Sequence, residues 1–128
     1  MAKPIATAEN IAFAFPNVCN TIVGPATVPI PYPNIADLSQ ASPLSDEGKG
    51  LYVKGKKVLL ANSVVDESSG DEAADGTANS GACEITQASS SVFYGGQGLV
   101  RFGDSTSQNN GVAAGTILSA EPSVLVGD

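Results

Sequence analysis

Between Ile11 and Pro33 the chain carries Pro16, Gly24, Pro25, Pro29, Pro31 and Pro33, and this punctuation constrains the fold more than any other feature. Proline lacks an amide hydrogen and clashes with the preceding helical turn, so no helix crosses this region. Within it, Val28-Pro29-Ile30-Pro31-Tyr32-Pro33-Asn34 alternates proline with larger side chains. Each proline fixes φ near −65° and pushes its predecessor toward β or polyproline II, so the segment is extended before any tertiary contact forms. In a β conformation Ile30 and Tyr32 share one face, and the missing N–H groups confine the segment to an edge or surface. The strip Pro29, Ile30, Pro31, Tyr32, Pro33 and Asn34 reads either as a rigid connecting loop or as a partner-binding strip that loses little entropy on docking.

The rest of the chain agrees with strands and turns. Fourteen Gly and eight Pro, with few strong helix formers, predict an all-β fold, and 128 residues suit one domain spanning 1–128. Residues 1–10 read as a loosely held end. Ile35 to Gly50 reads as a polar loop with a short helical turn around Asn34 to Ser39. Leu51 to Leu60 predicts two short strands about Gly55, and Ser91 to Phe102 a second such hairpin about Gly95-Gly96. Four of the six basic residues, Lys49, Lys54, Lys56 and Lys57, surround the first hairpin, where lysine on an exposed strand blocks edge pairing. Val64 to Ala82, with Asp66, Glu67, Asp71, Glu72 and Asp75, reads as a long acidic surface loop. Gly103 to Gly111 reads as a polar turn leading to Val112–Ser119 and a last strand, Ser123–Gly127. Three runs, Leu51–Gly55, Ser91–Gly95 and Ser123–Gly127, each end an apolar stretch at Gly; intervals of 40 and 32 residues make them a degenerate internal repeat.

Composition removes most catalytic chemistry. The chain has no His, so Ser-His-Asp and Cys-His nucleophile systems and His-ligated metals cannot be assembled from it alone. Gly50 to Lys57 approaches the GxxxxGK[ST] phosphate loop, but Lys57 replaces the metal-binding hydroxyl and no helix follows. Asp71 to Gly76 opens like a calcium loop, yet Ala73 and Ala82 stand at ligand positions. Gly95-Gly96-Gln97-Gly98 lacks dinucleotide spacing. A carboxylate hydrolase or small secreted binding protein is the residual alternative, weakened by the scarcity of aromatic residues with which to line a cleft.

A formal charge of −7 repels phosphate backbones and anionic lipid, so neither nucleic acid nor a membrane anchor is an expected partner. Cys19 and Cys83 belong to no CxxC pair and read as buried thiols, with a disulfide as the alternative. The N-terminal stretch is a poor secretion signal, and no apolar run reaches membrane-spanning length. Synthesis in the cytoplasm is expected, with any export by machinery that reads no N-terminal signal.

Ala14-Phe15-Pro16-Asn17-Val18-Cys19-Asn20-Thr21, followed by Pro29 to Ala36 and Ser68-Ser69-Gly70-Asp71-Glu72-Ala73, resembles the PAAR-like proteins with a PIPY motif linked to type VI secretion. Arg101-Phe102-Gly103-Asp104-Ser105-Thr106-Ser107-Gln108-Asn109-Asn110-Gly111 and Pro122 to Gly127 are similar to the PAAR repeat, a Gly-Asp turn followed by a histidine-glycine stretch and a strand. The resemblance spans residues 13 to 127. It implies a small conical domain of short hairpins and long loops, quasi-threefold in arrangement. Such a domain caps a trimeric VgrG-type spike, one copy per trimer, sharpening it or linking an effector toxin or adaptor. A targeting module of a longer toxin is the alternative, and an extracellular injection device could replace the type VI machine. The chain would be exported on the spike, outside or into a target cell.

PAAR proteins hold zinc near the apex through His and Cys, and Gln108 stands where a ligand histidine is expected. No zinc or other cofactor is therefore expected, and structural zinc sites rarely use the carboxylates or water that would remain. The apex is expected to be held by packing, by turn hydrogen bonds from Asp104, Ser105, Thr106 and Asn109, and by proximity of Cys19 and Cys83. No catalytic residue is expected.

Overall fold

The computed structural model describes residues 2–45, 51–70 and 81–127. Lys49, and Asp71, Glu72 and Asp75 of the acidic loop, lie outside the described residues. The strands in chain order are β1 (Lys3–Ile5), β2 (Ile11–Val23), β3 (Ala26–Asp37), β4 (Ala41–Leu44), β5 (Tyr52–Val53), β6 (Lys56–Lys57), β7 (Leu59–Val65), β8 (Cys83–Ile85), β9 (Phe93–Tyr94), β10 (Gln97–Gly98), β11 (Ser105–Gln108), β12 (Ala113–Ile117) and β13 (Glu121–Val126). The fold is all-β, with a 3₁₀ turn at Leu38–Gln40.

A seven-stranded sheet in the order β3-β2-β12-β11-β8-β7-β4 forms the body. Its first two strands make a long hairpin whose register shifts between Ala14 and Asn17. β12 pairs β2 only along Ala12 to Ala14. The proline-rich strip lies on β3, an edge strand, as its missing donors require. Ile30 and Tyr32 are both half-buried while Pro29, Pro31 and Pro33 between and beside them are exposed, the alternation expected of one shared face.

Three two-stranded ribbons, β5-β6, β9-β10 and β1-β13, complete the fold. The first two are hairpins whose central residues, Lys54-Gly55 and Gly95-Gly96, all have positive φ, the backbone that matches strand twist in a two-residue turn. The third joins the two ends of the chain, so residues 1–10, expected to be loosely held, supply Lys3–Ile5 to a ribbon and bury Ile5 and Ala6. Pairing sets Tyr52 opposite Lys57, Phe93 opposite Gly98 and Leu125 opposite Pro4. The repeats read from sequence are therefore one structural unit used three times, with the first copy slid by one residue.

The segments that follow the ribbons meet on a quasi-threefold axis. Ala6 donates its amide to the Val100 carbonyl at 2.9 Å, Val100 to Leu59 at 3.2 Å, and Leu59 back to Ala6 at 3.1 Å. Single bridges flank this triangle in the same cyclic order: Ile5 with Arg101, Leu99 with Leu60, and Val58 with Thr7. Ala6, Leu59 and Val100 are each 0% exposed, so the three amides meet where no water can replace a lost bond. One residue on, each segment is capped by a side chain three positions ahead: Thr7 by Asn10 at 2.8 Å, Leu60 by Ser63 at 3.0 Å, Arg101 by Asp104 at 2.8 Å. One apolar cluster, including Leu38, Leu59, Cys83, Val100 and Ile117, fills the body; another, Ile5, Val53, Val58, Leu60, Leu99 and Val126, lies beneath the ribbons.

Two stretches differ from the sequence reading. The sequence reading makes Ile35 to Gly50 a polar loop with a helical turn around Asn34 to Ser39; its described part instead forms the end of β3, the 3₁₀ turn at Leu38–Gln40 and β4, and residues 46–50 lie outside the described ones. Asp37 caps that turn through Ser39, and Ala36 and Leu38 are buried, so core contacts override the polar composition. The polar turn expected over Gly103 to Gly111 contains β11, flanked on both sides by β8 and β12.

The three caps differ in cost of removal. Asp104 holds Arg101 through Nε at 2.9 Å and Nη2 at 2.9 Å, with side chains 0% and 4% exposed, whereas Asn10 and Ser63 hold neutral partners. Asp104→Ala removes the carboxylate from a buried guanidinium, which keeps its bond to the Gly127 carbonyl at 3.1 Å, and is expected to cost about 3–5 kcal/mol. Ser63→Ala should cost about 1 kcal/mol. Urea denaturation of the two variants checks the ratio.

Candidate functional site

The structure joins the two groups of residues that the sequence singled out. Asn34, the end of the proline strip, accepts two hydrogen bonds from Gln108 Nε2, at its backbone carbonyl (3.1 Å) and at Oδ1 (2.8 Å). Gln108 Oε1 accepts from Thr106 Oγ1 at 2.7 Å. Ser105 lies apart from this interior group, its amide and hydroxyl donating to Gln87 at the surface. Asp104 serves Arg101, as described above.

From Asn34 the network continues. Its Nδ2 donates to Ser68 Oγ at 2.7 Å, Ser68 donates to the Gly81 carbonyl at 2.7 Å, and the Gly81 amide donates to Asn109 Oδ1 at 2.8 Å. Asn109 Nδ2 donates to Asn17 Oδ1 at 2.9 Å and lies 3.6 Å from Cys19 Sγ, which itself reaches Asn17 Oδ1 at 3.6 Å. Asn17, Asn34, Gln108 and Asn109 are each 0% exposed. The carboxamides, each both donor and acceptor, tie β2, β3, β11 and the segments around Ser68 and Gly81 into one chain of bonds across the interior.

The same packing explains the pairing of the two specific motifs. Ile35 and Ser69 exchange backbone hydrogen bonds at 2.7 and 2.8 Å, which lays the Ser68-Ser69-Gly70 run against the end of the strip. Gly70 has φ +108, and a Cβ there would fall 2.6 Å from the Pro33 carbonyl oxygen, so only glycine fits. Sequence reasoning missed Asn17, Ser68 and Gly81 as members of the network, although Asn17 and Ser68 fall within the motifs that carried the resemblance.

The donor set does not fit the zinc of PAAR proteins. Around Gln108 the groups are carboxamides, hydroxyls and the thiols of Cys19 and Cys83, already hydrogen-bonded within the network, with none of the imidazoles that PAAR proteins use. Among the described residues no three His, Cys, Asp or Glu side chains gather in metal-binding geometry. Cys19 and Cys83 are buried and not joined by a disulfide, so the expected closeness of the pair does not take the form of a bond. Burial pushes the Cys83 thiol up to about 11 from the ordinary 9.0, a hydrogen bond with Thr106 partly offsetting it. The interior favours the neutral thiol, so the stability this contributes is complete below the unfolded pKa and is lost as pH rises through about 11.

Three outcomes follow from this arrangement. Gln108→Ala removes the buried carboxamide to which both Asn34 and Thr106 are bonded and should cost about 3 kcal/mol or more by denaturant titration. The melting temperature of the wild-type chain should be unchanged by a chelator, with far less than one zinc per chain by elemental analysis; equimolar zinc would refute the fit drawn above. A thiol reagent at neutral pH should leave both cysteines unmodified until denaturant is added.

No curated protein and no solved structure matches the chain. A family model described as the toxin PAAR-like domain matches residues 10–115. That span takes in the long hairpin, the first two ribbons, every member of the buried carboxamide network and two of the three segments that form the backbone triangle. The chain belongs to the toxin PAAR-like domain family.

Proposed function

We propose that the protein is a non-catalytic spike tip that seats on the end of a trimeric VgrG-type spike, one copy per trimer, and sharpens it or links cargo to it. The observation that carries this reading is the backbone triangle of Ala6, Leu59 and Val100 with its three ribbons. A trimer seen along its axis offers three identical surfaces, and one chain can meet all three alike only if it presents similar structure in three directions. Family membership supports the same role. The strip from Pro29 to Pro33, stiff and on an edge strand, is a second contact surface in this reading, suited to an effector or adaptor; Asn34, expected to be part of it, is buried in the carboxamide network and is not. The carrier is a type VI system or related injection device; the chain is made in the cytoplasm and leaves on the spike.

A second reading, the targeting module of a longer toxin, is favoured by the family's description as a toxin domain. It uses the same seat, and the size of the native gene product separates the two.

Co-expression with the cognate spike trimer should yield a complex whose native mass equals one chain per trimer. If the chain elutes alone beside every spike protein encoded with it, the spike-tip reading fails.

A further inference from the structure

We infer that the seat is a ring of three exposed side chains, Tyr52, Phe93 and Leu125, one from each ribbon, and that its occupant is the end face of a trimer bearing an apolar hollow rimmed by carboxylates on each protomer. This rests on the spike-tip reading and locates its interface.

The three positions are structurally equivalent. Each lies opposite the residue that immediately precedes the triangle segment: Tyr52 opposite Lys57 before Val58, Phe93 opposite Gly98 before Leu99, Leu125 opposite Pro4 before Ile5. Strand alternation turns the next residues, Val53, Tyr94 and Val126, into the cluster beneath the ribbons and turns the ring residues away from it. Tyr52, Phe93 and Leu125 are 49%, 57% and 60% exposed. Neither the inner core nor the ribbon pairing requires a large apolar side chain there, yet each copy has one. Aromatic and aliphatic anchors of this kind carry most of the energy where they enter a partner's pocket.

Charge selects the occupant's chemistry. The chain carries −7 overall, but among the described residues Lys3, Lys54, Lys56 and Lys57 all belong to two ribbons, and the remaining cation, Arg101, is buried against Asp104. Lys56 holds Glu9 at 2.8 Å on a half-exposed surface. Against these lysines stand Glu9, paired with Lys56, and Glu121 of β13, within the field of Lys54; the described ribbon residues still keep a net positive charge on an acidic molecule, complementary to a carboxylate rim and opposed to a cationic one.

The test is affinity for the cognate spike trimer, with the full chain and its variants. Tyr52→Ala, Phe93→Ala and Leu125→Ala should each weaken binding roughly tenfold. The triple variant should show no complex, and raising salt should weaken wild-type binding. All three residues are exposed, so melting temperatures should stay near wild type, and Val18→Ala with Ile22→Ala on the long hairpin should bind normally. A triple variant that binds as wild type does, or loss of binding confined to the hairpin or the proline strip, overturns the ring while leaving the spike-tip reading intact. No complex with the wild-type chain overturns both.

Discussion

Three backbone hydrogen bonds, from Ala6 to Val100, Val100 to Leu59 and Leu59 to Ala6, hold the parts of this molecule in register. Each comes from a different region of the chain: Ala6 and Val100 are followed by capped turns that lead into β2 and β11, and Leu59 itself opens β7. Because the three amides are buried, the triangle is formed completely or at the cost of an unsatisfied group. The ribbons can repeat only because the segments after them converge here. Without convergence they would be isolated two-stranded hairpins, which are marginal in water.

Farther along the chain the same organisation is stabilised by different means. A metal would cross-link distant segments at one point and in one coordination geometry. Asn17, Asn34, Gln108 and Asn109 make the equivalent connection over several shorter steps: Asn34, Gln108 and Asn109 each donate to one neighbour and accept from another, and Asn17 accepts from Asn109 and Cys19. The arrangement depends on every member being satisfied, since a half-bonded buried amide is worse than an apolar side chain.

Sequence patterns of short range were legible. Alternating prolines place Ile30 and Tyr32 on one face of an edge strand whatever the rest of the fold does, and the Gly-ended runs mark the three ribbons. Long-range partners were not. Ser105 to Gln108 reads as a turn because its residues are polar, and its burial as β11 follows from partners as far away as Asn34. The triangle is illegible in sequence for a related reason: one of its ribbons is assembled from both ends of the chain, so no contiguous hairpin announces it. The missing histidine at Gln108 was visible; that an amide there would bind another amide was not.

The prolines of β3 have one more consequence. Val28, Ile30 and Tyr32 face β2 with their amides, so the outward-facing positions are Pro29, Pro31 and Pro33, which have carbonyl oxygens and no N–H. From Pro29 to Pro33 this edge of the sheet is a row of acceptors without matching donors. A strand approaching it there finds half of each ladder step missing, so the strip resists pairing with another copy of itself. Where many copies accumulate, this stretch of β3 stays an edge.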